Sequence, residues 1–539
     1  MTPILCLLSG ISSHLIIYRH GDWDTKSPVI VLAHILALAI GTIGSKLYSS
    51  SIDAWEDSLI GTSSGLAYHL IGVYGSMLVY RTFFHRLVKV PGPFLARMSN
   101  LFVTVLAMKR LQLHEELHSL HSRYGDYVRI GPRELSITDP AAVPAIYGSR
   151  SDTKKGPWYT LLDPRTPMSF TRDKEEHARR RKTWDKSFST KALASYEPLI
   201  AKCARQLTDA IDERLDAPIE MSKWFRFYVF EIMASLAFGR PFNMLTEQTG
   251  SYFLRLMRQD MELVGYLRHL PWLSFLLIRV PGLNWRNAQF WKWIESQFSE
   301  RIQNGPQHPD IFSSVLNAYL RGPKSTSDTL RLHGDGYLIV IAGSDTTTST
   351  ITHLMYHLAC SQTMFTKLQK ELDKLPELSD RHLMSVELLD AIIFETLRLH
   401  PATPAGVPRV TSSNGLTIDG TYIPPDTVVT VPLFTLFRDE RSFRRPTEFI
   451  PERWTTSPEL VKDRSVFIPF LIGVNACIGK RLAMMKIRRV VAELLIRYNI
   501  SLAPDQTEKK FIEGKVDTFA LSAAALSLEF RMRETEGGN

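Results

Sequence analysis

The most chemically suggestive run in this 539-residue chain lies near its carboxyl end: Pro469-Phe470-Leu471-Ile472-Gly473-Val474-Asn475-Ala476-Cys477-Ile478-Gly479-Lys480. A helical pattern follows to Arg497, which puts Cys477 at a helix start. There the helix dipole and free amide donors favour thiolate over thiol. Gly473 and Gly479 leave room for backbone to pass close to a flat cofactor. A thiolate is a soft metal ligand, and on haem iron its electron push favours O–O cleavage. The other cysteines, Cys6, Cys203 and Cys360, are scattered and form no CxxC pair. A disulfide scaffold and a cysteine-rich zinc module are both excluded.

Three other patterns could carry chemistry. His114-Glu115-Glu116-Leu117-His118 has HExxH spacing, which puts two imidazoles one helical turn apart for zinc with Glu115 as base. That would make a membrane zinc peptidase, although the segment also reads as a surface amphipathic helix and no third ligand is marked. Gly61-Thr62-Ser63-Ser64-Gly65 matches a nucleophile elbow but falls in an apolar stretch, where small-residue helix packing is the better account. Within 335–360, Gly343 and the threonines that follow it weaken a helix, and their hydroxyls can capture carbonyls and bend it into a pocket.

The elements that must position these groups are mainly helical. Periodicity predicts helices over 99–123, 191–216, 222–238, 250–267, 286–304, 309–321, 335–360, 362–374, 385–399 and 479–498. Tyr127–Ile130 and Leu135–Thr138 flank Gly131-Pro132, and Leu416–Ile418 and Tyr422–Ile423 flank Asp419-Gly420, so small hairpins accompany them.

Before the body lie three stretches without Asp, Glu, Lys or Arg: 1–18, 28–44 and 59–80. Each approaches bilayer length, which predicts an anchor of one to three membrane helices over 1–80. Lys46 stands against Asp53, Glu56 and Asp57, whereas Arg81, Arg86, Lys89 and Arg97 follow the third stretch, so the body is expected on the cytoplasmic side. A basic linker, 81–98, contains Val90-Pro91-Gly92-Pro93, read as a hinge. One body over 99–539 completes the chain. With 44% apolar and 22% charged residues it has material for a large core, which excludes disorder. The net charge of +9 is not gathered into basic blocks, which argues against nucleic acid.

The cysteine run fits FxxGxxxCxG, and three more motifs occur in order: Ala342-Gly343-Ser344-Asp345-Thr346-Thr347, Glu395-Thr396-Leu397-Arg398 and Pro451-Glu452-Arg453-Trp454. Together they resemble the cytochrome P450 superfamily of haem-thiolate monooxygenases from about residue 91 onward. The resemblance implies that fold behind the anchor, mainly α with small β-sheets, and haem b ligated by Cys477 with Phe470, Gly473 and Gly479 about it. Asp345 and Thr346 would pass protons toward dioxygen. Glu395, Arg398 and Arg453 would form a buried structural triad; a second Glu-x-x-Arg, Glu176 and Arg179, lacks that context. Asn475 stands where the family usually has an arginine, so the haem propionates must lean on His177, Arg181 and Arg409.

Small residues in Pro401–Val407 would leave room for a bulky apolar substrate. Stretch 264–293, with Trp272, Trp285, Trp291 and Trp293, resembles the family's mobile roof. The chain looks like filamentous-fungal members that decorate secondary metabolites at the endoplasmic reticulum membrane. A haem-thiolate oxidase performing desaturation or ring formation is the alternative. With no flavin or dinucleotide fingerprint appended, electrons come from NADPH through a separate cytochrome reductase. Lys480, Arg481, Lys486, Arg488 and Arg489 are expected to form its basic docking patch.

Overall fold

The structure is a computed structural model that describes residues 2–48, 54–248, 252–280, 282 and 285–534. Asp53, the first two residues of the predicted 250–267 helix and everything beyond 534 lie outside the described residues.

The molecule is mainly helical with small sheets. Its centre is one 35-residue helix, Thr326–Cys360, packed along Met221–Phe238, of which 16 residues are buried. A helix apolar over most of its circumference, with only Lys223 exposed, belongs inside. Gly343 lets the two approach, since a Cβ there would overlap the Met233 side chain. The central helix starts nine residues before the predicted 335. Ser325 and Asp328 cap it reciprocally, side chain to backbone amide. Those first turns are too polar to register as an apolar period.

The larger sheet orders its strands Tyr127–Gly131, Glu134–Ile137, Val428–Thr430 and Arg409–Val410. Its first and last pairs are antiparallel and its middle pair parallel. The predicted hairpin forms over Leu416–Ile418 and, one residue earlier than predicted, Thr421–Ile423, and turns on Asp419 and Gly420, both at positive φ. The predicted helix 99–123 is broken into Leu101–Arg110 and Leu113–Tyr124. Leu111 between them is left-handed, and its carbonyl accepts the distant Asp517 amide. No local signal announces a break set by a remote partner.

At the amino end stand Pro3–Ser13, Ser27–Tyr48 and Ala54–Val79. Among the described residues one segment, Asp24–Tyr48, is long and apolar enough to cross a membrane; Pro3–Tyr18 is a shorter apolar stretch. The first and third helices interlock through glycine, Gly10 against the His69 carbonyl and Gly72 against that of Leu7. The Gly61–Gly65 run is helical throughout, so it lacks the strand and turn of a nucleophile elbow.

The prolines read as a hinge are tied to the sheet, the Arg129 amide donating to the Pro91 carbonyl at 2.8 Å. The loop after the first helix also reaches the body. Asp22 pairs with Arg172 at 3.4 Å, Asp24 with Arg133 at 3.2 Å, and the Ser27 hydroxyl donates to the Trp272 carbonyl at 2.8 Å.

Candidate functional site

A cavity of about 400 Å³ lies beside the central helix, and Cys477 opens into it. Phe470, Gly479 and Asn475 line it with the cysteine; Asp345 and Thr346 line it from the central helix; His177, Arg181 and Arg409 also line it. Most of the remaining wall is apolar, including Leu161, Phe170, Val264, Ile341 and Val407. Gly473 stands apart. At φ +70 it packs on Tyr147, where a Cβ would sit 2.5 Å from the carbonyl oxygen, so its close approach is to protein backbone.

The Cys477 amide donates to the Phe470 carbonyl at 2.8 Å, which folds the run back on itself. The helix Lys480–Arg497 then begins with Gly479 as its cap. Burial pushes the thiol up from its ordinary range, against the Gly479 and Lys480 amides and the charges of Arg181 and Lys486. Helix-start donors alone do not offset that burial. A metal cation at the sulfur would.

Across the cavity, the central helix stays α-helical through Gly343–Thr348 while the hydroxyl of Thr346 donates to the Ala342 carbonyl at 2.8 Å and that of Thr350 to Thr346 at 2.9 Å. Burial raises the Asp345 carboxyl to about 6, with Arg226 and Arg258 opposing. Such a group can hold and release a proton near neutrality. Lys486, buried, reaches from the cysteine's helix to donate to the Gly343 carbonyl at 2.8 Å, and burial lowers its ammonium to about 7.

His177 and Arg181 sit on Lys174–Ser187, a helix that apolar periodicity misses because nearly every residue is charged or polar. Asp173 caps it, accepting the Glu176 amide at 2.7 Å. Arg181 donates to the Ala476 carbonyl at 2.8 Å, beside the cysteine. Arg409, on the last strand of the larger sheet, is buried and donates to the Tyr159 hydroxyl. A further base, Lys155, lines the same cavity, buried and donating to the Thr171 carbonyl at 3.1 Å. It sits in a polar loop with no periodicity to mark it. Burial, then Arg409, Arg180 and Arg181, lower it to about 7. Burial, then Lys155, Arg181, Arg180 and Arg409, hold His177 down to about 4.

Away from the cavity, Glu395, Arg398 and Arg453 are fully buried. Both arginines grip the carboxylate, Arg398 at 2.8 and 2.9 Å and Arg453 at 2.9 and 3.0 Å. The Trp454 indole donates to it as well, at 3.0 Å, a fourth member that the sequence did not single out. By contrast Glu176 and Arg179 form an open surface pair.

Two expectations are overturned. His114 is buried edge-on against Phe434 and 3.6 Å from Asp517, Glu115 is half-buried beside it, and among the described residues no cluster of His, Cys, Asp or Glu could hold a metal. The zinc peptidase reading has no support. The predicted basic patch is also largely internal. Lys486 is inside, Arg488 is buried against Asp390 at 2.7 Å, and Arg489 pairs with Glu493 at 2.9 Å. Lys480 and Arg481 alone of the five are exposed. A cation count along a helix cannot say which of its faces is covered. The tryptophans of 264–293 divide similarly: Trp272 and Trp285 are exposed, Trp291 and Trp293 packed against the core.

An inward cysteine, five nitrogen bases around the same cavity and an apolar surround fit a flat iron macrocycle that carries two carboxylates. This is the architecture of a haem-thiolate protein. The Cytochrome P450 family model matches residues 91–530, and the chain belongs to that family of oxygen-incorporating oxidoreductases, which take electrons from a reductase. It is 57% identical over 471 residues to cytochrome P450 monooxygenase orf5 of Eupenicillium brefeldianum, covering 87% of this chain and 96% of that protein. To monooxygenase FCK2 of Fusarium pseudograminearum it is 43% identical over 538 residues, 98% of each. With tryprostatin B 6-hydroxylase of Aspergillus fumigatus it shares 34% over 527 residues, 95% of this chain and 93% of that one.

Proposed function

We propose that this chain inserts one atom of O2 into an apolar small molecule during fungal secondary metabolism, anchored by residues 1–80 in the endoplasmic reticulum membrane with 99–539 in the cytoplasm and 81–98 between. NADPH supplies the electrons through a partner reductase. The observation that carries this reading is the single cavity that Cys477 shares with Asp345, Thr346 and an apolar wall. Cys477 would hold the haem iron, and Lys155, His177, Arg181 and Arg409 its propionates. Once bound, the haem supplies dioxygen activation.

The protein's own groups do the rest. Leu161, Phe170, Val264 and Ile341 keep water away from the substrate and orient it by shape. Asp345 takes up a proton from solvent and the Thr346 hydroxyl, now bonded to Ala342, hands one onward into the dry cavity. Glu395, Arg398 and Arg453 keep the fold behind the cysteine.

Reduced, carbon monoxide-treated protein should show the red-shifted Soret band of thiolate ligation, and Cys477→Ala should abolish it. A wild-type band in that variant would defeat the assignment. Metabolite comparison of a deletion strain with its parent then identifies the substrate by what accumulates.

A further inference from the structure

Lys486 is a cation whose place in the fold is fixed at both ends. Its backbone carbonyl accepts the Tyr228 hydroxyl at 3.0 Å, and its ammonium donates to the Gly343 carbonyl at 2.8 Å. Two neighbouring helices, Met221–Phe238 and Thr326–Cys360, therefore set where the charge lies. The residue is 1% exposed and lines the same cavity as Cys477. Leu482 and Ala483, one turn back on its own helix, and Met233, which packs on Gly343, line that cavity with apolar surface. An ammonium held there by one hydrogen bond is costly, and a methionine would fill the space without the cost.

A buried cation calls for an anion. Among the described residues no carboxylate forms a salt bridge with Lys486; the charge that acts on it is that of Cys477, and its own field acts on the cysteine in return. Seven residues beyond the Gly479 cap is roughly 10 Å along the helix axis, and helical side chains lean back toward the amino end, here toward Cys477. The other bases of the cavity are differently placed. Arg181 pairs with Asp185 at 2.9 Å, and Lys155, His177 and Arg409 stand where two propionates are proposed to lie. Lys486 has neither kind of partner.

We propose that Lys486 is a tuning residue of the haem-thiolate centre, whose buried charge stabilises the reduced iron and so sets how readily the first electron is accepted. This rests on the reading of Cys477 as the haem ligand given above. The step is the transfer of one electron from the partner reductase, ferric iron becoming ferrous, with no bond made or broken and with Lys486 keeping its protons. The electron adds one negative charge to the iron–thiolate unit. A cation about 10 Å away, at an effective dielectric constant of about 20, favours that state by roughly tenfold in the equilibrium constant.

The test is the midpoint potential of full-length, haem-loaded protein, followed by the Soret band through a reductive titration. It is run at mildly acid pH, below the value of about 7 to which burial lowers Lys486. Lys486→Met fills the space without charge and should lower the reduction equilibrium constant about tenfold, or about 59 mV for one electron. Lys486→Gln keeps a donor for the Gly343 carbonyl without the charge and should shift it equally. Lys486→Arg keeps the charge and should hold most of the wild-type value. Arg481→Met removes the same formal charge from an exposed site on the same helix and should move the potential little. The Lys486→Met shift should persist at high salt, because ions screen a buried charge poorly. An unmoved potential in both uncharged variants, a wild-type value in Lys486→Gln, an equal shift in Arg481→Met or a shift abolished by salt would each overturn the proposal. The carbon monoxide band separates the failures. Wild-type protein without the red-shifted Soret band refutes the haem-thiolate reading, whereas protein that shows the band with unmoved potentials refutes only the role of Lys486.

Discussion

Glu-x-x-Arg occurs twice in this chain, and removing the arginine should be ruinous in one copy and nearly silent in the other. Arg398 and Glu395 are fully buried, whereas Arg179 is 68% exposed while gripping Glu176 with equally good geometry. Arg398→Ala deletes two bonds to Glu395 and one each to the carbonyls of Phe437, Pro446 and Glu448. Glu395 is not abandoned, since Arg453, Trp454 and the Ile450 amide remain. The carbonyls of the buried Phe437 and Pro446 are, and each buried orphan costs about 1–3 kcal/mol, whereas exposed Glu448 can turn its carbonyl to water. The sum, roughly 2–6 kcal/mol, agrees with the ~3–5 kcal/mol for breaking a buried ion pair. A typical domain has about 5–15 kcal/mol in total, so little folded protein should survive.

Arg179→Ala, an exposed pair, should lose at most about 1 kcal/mol. Arg398→Lys should fall between, because one ammonium cannot reproduce a planar fork that serves a carboxylate and three carbonyls. The assay is haem-loaded yield at matched expression, together with the half-life of the Soret band at fixed temperature. Wild-type yield and half-life in Arg398→Ala would refute the reasoning. So would equal damage from Arg179→Ala, since burial would then not be what separates the two.

Two further outcomes are expected. Thr346→Ala should retain haem and substrate binding yet divert reductant to peroxide, with product formation down by about 10²-fold or more, because the hydroxyl hands on the proton; normal coupling in purified enzyme would dismiss that role. The second concerns acid. His353, His400 and His357 are stacked or hydrogen-bonded in series, with ring centroids 4.1 Å apart in the first pair and an Nε2–Nε2 contact of 2.9 Å in the second. Burial, followed by Lys515, lowers His353 and His357 to about 3, Arg398 and Arg438 also acting on His357, and His400 falls well below its ordinary value. Folded values below the unfolded ~6.5 mean that the stabilisation from neutral imidazoles is complete above that pH and is lost as pH falls toward 3. His357→Leu/His400→Leu removes both partners of one bond and should move the acid transition, read by tryptophan fluorescence, to lower pH with fewer protons taken up; an unmoved or higher midpoint would contradict it.

What the sequence made legible was chemistry written in contiguous runs. Asp345-Thr346 and Glu395-x-x-Arg398 each occupy one turn or less, and Cys477 and its glycines lie within seven consecutive residues, so residue type and spacing already mark them. Lys155 and the part played by Lys486 were illegible because they matter through what a distant segment brings to them: Lys486 is meaningful only where it meets Gly343, on the wall of a cavity neither builds alone. Helix boundaries failed for the same reason at Leu111, and for a different one over Lys174–Ser187, where packing is done by few apolar side chains. The basic patch failed because Lys486, Arg488 and Arg489 are adjacent in sequence but not on one solvent face.

The substitution at Asn475 takes on a different meaning once Lys155 is seen. From the sequence, an asparagine in place of arginine reads as a missing charge at the propionate end. In the structure Lys155, Arg181 and Arg409 already line that cavity, and Arg180 is close enough to act on Lys155. Burial, with repulsion among them added, brings Lys155 down to about 7 and His177 to about 4. A further arginine at 475 would add another cation to a group already partly discharged by its own crowding. An uncharged donor avoids that repulsion. Two carboxylates held in the same space would favour protonated Lys155 and His177, adding to the fixed charges of Arg181 and Arg409.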